Sequence, residues 1–193
     1  RADIISSDAI NKAIDAGTTG NVNTCVGSNA GGNLTTGGGN VFIGRDAGIT
    51  GSPGGNHITE SNRLVLGDEN ITNAHIQVDW TVASDERDKT DFSTLDLGLN
   101  FVNALEPVTY KWDKRSKYGD KNADDYDLNA QTPDGTHKED WLDIGFKAQD
   151  VLALEEAAGY TLSDKRNLTV SLSEDEKQYG LQYTKFIPIL VNA

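Results

Sequence analysis

The sequence predicts two unlike parts: a β-solenoid-like stalk of Gly/Asn repeats over residues 1–83, then an α+β unit over residues 84–193. Three observations point there. Fourteen of the 20 glycines lie before Asp68, a pattern with a 17-residue phase recurs in that glycine-rich half, and most aromatic and charged residues fall in the other.

The first 16 residues carry Ile4, Ile5, Ala9, Ile10, Ala13 and Ile14 at helical spacing, with Gly17 as a stop, and predict a short amphipathic helix. Then Asn23-Thr24-Cys25-Val26-Gly27-Ser28-Asn29-Ala30-Gly31 is echoed 17 residues later by Asn40-Val41-Phe42-Ile43-Gly44-Arg45-Asp46-Ala47-Gly48. A degenerate third copy starts at Arg63-Leu64-Val65-Leu66-Gly67. Each copy reads as a short strand followed by tight corners, where Gly and Asn tolerate positive φ. Val26, Phe42, Ile43, Val65 and Leu66 are the expected core. So thin a coil cannot bury them alone; stacked turns, or three chains about one axis, would. A flexible Gly-rich linker would not keep the fixed phase. A phosphate cradle is excluded because no G-x-x-x-x-G-K-[ST] run is present.

Residues 76–82, Ile-Gln-Val-Asp-Trp-Thr-Val, alternate apolar and polar and predict a strand. Immediately after it, Ala83-Ser84-Asp85-Glu86-Arg87-Asp88-Lys89 puts a serine and a lysine five residues apart. Such a charged run is ordinarily a solvated turn. A serine–lysine pair is also a known way to activate a hydroxyl: the lysine, when neutral, takes the serine proton. Burial or a cationic neighbour favours that neutral state, and Arg87 is placed to be such a neighbour.

In the second part, Ser93 or Thr94 is expected to cap a helix over Leu95–Leu105. Val108–Trp112 and Trp141–Phe146 read as strands, Gln149–Ala158 as a helix ended by Gly159, and Leu168–Leu172 with Tyr179–Tyr183 as a hairpin. Thr184 should cap a last helix, with Pro188 in its first turn. The acidic stretch 113–140 reads as a long exposed excursion. Its Asp120, Asp124, Asp125 and Asp127 miss the EF-hand spacing, so no metal is expected there, and no cofactor motif occurs elsewhere. Trp80, Trp112 and Trp141 are expected as core or interface anchors, and His57, His75 and His137 as surface or structural residues.

A net charge of −13 excludes a nucleic-acid role and docking on anionic lipid, both of which need a basic surface. Cys25 is the only cysteine, so no intrachain disulfide forms, and no apolar run is long enough to span a bilayer. With no Met and Arg1 at its start, the chain reads as a fragment or a processed product.

Ser84-Asp85-Glu86-Arg87-Asp88-Lys89 resembles the S-D-x-R-x-K junction of the intramolecular chaperone domains that end endosialidase-type phage tailspikes and tail fibres. Three later stretches resemble the same family in the same order: Leu105-Glu106-Pro107-Val108-Thr109-Tyr110-Lys111-Trp112, Gly145-Phe146-Lys147-Ala148-Gln149-Asp150-Val151, and Tyr183 to Val191. The resemblance implies a homotrimer in which the chaperone domain, from Ser84, holds its own stalk in register as a folding client. It implies self-cleavage between Ala83 and Ser84, with Ser84 as nucleophile, Lys89 as general base, and Asp85, Arg87 and Gln149 in support. Assembly would occur in the host cytoplasm; the stalk would stay in the virion tail fibre, whose parent would bind a host surface receptor, and the chaperone would leave. The excursion 113–140 has no clear counterpart in the family pattern, and the family usually continues into a longer coiled helix beyond the point where this chain ends. A non-cleaving structural tail-fibre segment or trimeric adhesin head is the alternative, since such heads also repeat short Asn/Gly units. A glycan hydrolase fits least, because the carboxylates form no recognisable pair.

Overall fold

The computed structural model describes residues 19–121 and 123–193. The helix expected over residues 1–16 lies outside them.

The Gly/Asn repeats stack. Strands β1 (Thr24–Val26), β2 (Val41–Ile43) and β3 (Leu64–Leu66) form one parallel sheet in register, with Cys25 opposite Phe42 and Phe42 opposite Val65. Successive residues of a strand face opposite ways, and here the middle residue of each triplet is the one that points inward. Phe42 and Val65 are buried and pack with Ala30, Leu34 and Ala47. Val26, Ile43 and Leu66, expected in that core, stand 42–56% exposed on the outer face. The repeated asparagine has a structural role. Asn23 Oδ1 accepts from the Asn40 amide at 3.0 Å, and Asn40 Oδ1 accepts from the Arg63 amide at 2.9 Å, so each turn holds the next. Asn40 is fully buried. The corners need positive φ, as at Gly27 and Gly44, where a Cβ on Gly27 would sit 2.5 Å from the Gly44 carbonyl carbon.

Residues 72–83 contain no strand, against the expectation for 76–82. A strand exists only within a ladder. Among the described residues no backbone hydrogen bond joins this segment to another, and Ile76, Val78, Trp80 and Val82 are all exposed.

The second part is mixed α and β with short elements. Helix α1 spans Leu99–Ala104, four residues later than expected, and neither Ser93 nor Thr94 caps it. Residues 95–98 are taken instead by Asn192, whose side-chain Nδ2 donates to the carbonyls of Leu95 (3.1 Å) and Leu97 (2.8 Å). Strands β4 (Val108–Tyr110) and β5 (Asp143–Gly145) pair antiparallel. Helix α2 (Ala148–Ala157) runs close to its expected limits and is followed by Gly159 at φ +87°. Strands β6 (Val170–Leu172) and β7 (Tyr179–Leu181) form the expected hairpin. Helix α3 (Phe186–Val191) follows a 3-10 turn and carries Pro188 in its first turn; Thr184 does not cap it.

Leu97, Phe101, Val151, Val170, Phe186 and Ile189 make the core of this part. The tryptophans do not join it: Trp80, Trp112 and Trp141 are 43–68% exposed. Glu155, on the inner face of α2, is fully buried and accepts from the amides of Leu168 (3.0 Å) and Thr169 (2.7 Å), which fastens the start of the hairpin to the helix.

The excursion 113–140 is not a free loop, as its composition suggested. Two 3-10 turns, Arg115–Lys117 and Leu128–Ala130, bury Ser116 and Leu128, and its lysines rest on the third repeat turn. Its first nine residues hold the signal that its overall acidity obscured, namely Lys114, Arg115, Lys117 and Lys121.

Candidate functional site

The junction serine and lysine meet. Lys89 Nζ donates to Ser84 Oγ at 2.7 Å and to the Ser84 carbonyl at 3.2 Å. Five residues of extended chain would hold them far apart; a single 3-10 turn over Glu86–Asp88 brings them back together. That turn is built from local sequence. Asp85 is its N-cap, accepting from the Arg87 amide at 2.9 Å, and the Lys89 amide closes it on the Glu86 carbonyl at 3.1 Å.

Arg87 stiffens the cap. Its guanidinium grips Asp85 with both forks, Nε on Oδ1 at 3.0 Å and Nη2 on Oδ2 at 2.6 Å. These side-chain bonds, with the Arg87 amide, hold the Asp85 carboxyl below its ordinary value and raise that of Arg87. Arg87 is thus committed to Asp85, and the pair orients the turn. Gln149 stands exposed near the start of α2 and, among the described residues, makes no hydrogen bond to the junction.

Ser84 and Lys89 are both exposed in the single chain. A lysine takes a serine proton only when it is neutral, a state that burial or a nearby cation favours. Among the described residues no group of three or more His, Cys, Asp or Glu is arranged to hold a metal ion, and no helix is long and apolar enough to cross a membrane.

Residues 84–160 match the model of a peptidase family described as the chaperone of endosialidase, and the match starts at Ser84 itself. The match covers less than half of the chain and supports a chaperone domain of that kind over residues 84–160. No curated protein and no solved structure matches the chain.

Sequence reasoning found the pair because both residues sit in one short motif. It missed the set Glu69, Lys114, Lys121, Arg63, Glu174 and Asp175, whose members come together only across long stretches of chain.

Proposed function

We propose that the chain is the end of a phage tail fibre or tailspike in which residues 84–193 assemble three copies of the stalk and then cut themselves free between Ala83 and Ser84. The observation that carries this reading is the 2.7 Å contact from Lys89 Nζ to Ser84 Oγ. With Lys89 neutral, Ser84 Oγ gives its proton to Nζ and attacks the Ala83 carbonyl carbon; the Ala83–Ser84 C–N bond breaks, and Ser84 nitrogen leaves as an amine after gaining a proton. The resulting ester between Ala83 and Ser84 Oγ is hydrolysed by water, which leaves a carboxylate on Ala83 and restores the hydroxyl. Domain limits at 1–83 and 84–193 follow from this cut, and the family match beginning at Ser84 supports them.

Assembly of several chains is supported by the surface each chain leaves open. Val26, Ile43 and Leu66 form an apolar row on the outer face of β1–β3, and Ile76, Val78, Trp80 and Val82 alternate along a segment with no ladder. Three copies around one axis would bury the row, pair the segment and cover the dyad together, so that cutting follows assembly. Self-processing would take place in the host cytoplasm, with the stalk retained in the virion. The exposure of Lys89 in a single chain favours a second reading, a structural fibre segment that never cuts. Intact-mass spectrometry on freshly purified protein separates them: self-processing yields one piece ending at Ala83 and one starting at Ser84, and Ser84→Ala stays whole. A Ser84→Ala chain that is still cut at that bond overturns the mechanism.

A further inference from the structure

The repeat stack and the second part meet along a seam made of charge. On one side Lys114 Nζ donates to the Glu69 carbonyl at 2.9 Å and to Glu139 at 3.0 Å, Lys121 pairs with the Glu69 carboxylate, and Lys117 bonds Asn70. On the other, Asp175 accepts from the Asn56 amide at 3.1 Å and Glu174 pairs with Arg63. Arg115 ties the two sides together by donating to the Lys177 carbonyl at 2.6 Å. The Glu69 side chain is 5% exposed and Lys121 25%, so this pair is largely desolvated, whereas Arg63 and Glu174 are each more than 40% exposed and form a rim. The fit is close: a Cβ on Gly51 would lie 2.9 Å from Ser116 Cβ, and one on Gly55 2.5 Å from Asp175 Oδ1. Among the described residues no apolar cluster crosses the seam, since the two cores share no residue. Glu69 Oε2, Tyr126 Oη and Glu139 Oε2 are buried with no hydrogen-bond partner, so polar groups there are only partly satisfied.

We infer that residues 114–121 and the turn at 173–177 form an ionic clamp on the last repeat turn, and that this clamp outlasts the 83/84 bond. The segment 72–83 carries none of these contacts, so cutting its end removes a tether and leaves the clamp whole. The two pieces then stay together as a nicked complex, and a rise in ionic strength, or a competitor for the Glu69 end of the stack, sets their release. Screening acts on the exposed Arg63–Glu174 rim and on re-pairing of the seam once its charges part into water: the Debye length falls from about 10 Å at 0.1 M salt to about 3 Å at 1 M.

The test does not rely on self-cleavage. A site for a specific protease is inserted between Ala83 and Ser84 in a Ser84→Ala chain, the folded protein is cut with that protease, and size-exclusion fractions are read on denaturing gels. At about 0.1 M salt both pieces should share one peak, and at about 1 M they should separate. Replacing Lys114 and Lys121 together with Ala should weaken the complex about a hundredfold or more, because Glu69 is left buried and unpaired, and should separate the pieces at low salt. Lys121→Arg, which keeps the charge, should behave as the parent. Separation of the parent at low salt overturns the inference, and so does a complex that persists unchanged at 1 M. Should the double Ala chain fail to fold, the two salt conditions on the parent decide alone. Failure of self-processing would show instead as an uncut chain with Ser84 in place, a different readout.

Discussion

Lys89 Nζ lies 2.7 Å from Ser84 Oγ because a three-residue turn between them, capped by Asp85, folds the chain back on itself. The contact is local, so it forms in a single chain, but covering it is not local. On the proposed mechanism the pair is placed in one chain and idle until other chains close over it.

That separation of placement from activation gives the first prediction. Lys89→Arg keeps a cation beside Ser84 but cannot become neutral near pH 7. Self-cleavage should slow by about a hundredfold or more, close to the loss in Lys89→Ala. Time-resolved intact mass checks it; an Arg variant that cuts at the parent rate would mean that position 89 supplies charge only.

A second prediction concerns Asp85. Removing its carboxylate in Asp85→Ala frees Arg87 and uncaps the turn, so Ser84 and Lys89 are no longer held together. Loss of an N-cap costs about 1 kcal/mol. The expected result is slower cutting with an unchanged melting temperature for the rest of the domain, read by mass spectrometry and calorimetry on one sample.

The inner and outer faces of the repeat sheet should respond differently. Phe42→Ala removes the largest buried side chain of the stack, a loss of about 3–5 kcal/mol, and should unfold it as seen by circular dichroism. Replacing Val26 and Ile43 with Ser should leave the inner cluster of a single chain intact, because both face outward. Light scattering should then report a smaller assembly. An unchanged mass would mean that this row is not an interface.

Glu155→Ala should be among the most costly changes in the second part. Its buried carboxylate accepts from two amides and from the Thr169 hydroxyl, and truncation leaves those donors unpaired. A cost of about 2–5 kcal/mol is expected as a lower denaturant midpoint at unchanged slope.

The repeat stack should weaken in mild acid. His57 is buried against Phe42 with both ring nitrogens lacking partners, and burial pushes its pKa below the ordinary 6.5, although Glu60, 4.0 Å away, pulls it up. The unfolded chain therefore binds the proton more readily, so stability is greatest above about pH 6.5 and falls as pH drops through that value. Burial would raise the Glu60 carboxyl, but its own amide and those of Ile58 and Thr59 outweigh this and hold it below its ordinary value of 4.5, so it titrates beneath this window. Melting temperatures from pH 7.5 to 5 should decline in the parent and flatten in His57→Leu.

The sequence by itself determined what is short-range. The 17-residue phase set the in-register stacking of β1 on β2, because similar corners and the asparagine that bonds the next turn recur at that interval. The Ser84–Lys89 pair, α2 with its glycine stop, and the β6–β7 hairpin were legible for the same reason: each is closed by residues near it in the chain. Tertiary structure alone decided which face of each three-residue strand is buried, since apolar residues at adjacent positions point opposite ways and composition cannot choose between them. It also decided that residues 95–98 serve the chain's end instead of starting a helix, and that a stretch acidic overall should plant its few lysines on Glu69 and Asn70. Those outcomes depend on segments some 45–97 residues apart, whose meeting is fixed by packing and desolvation of the whole chain and leaves no periodic trace in its letters.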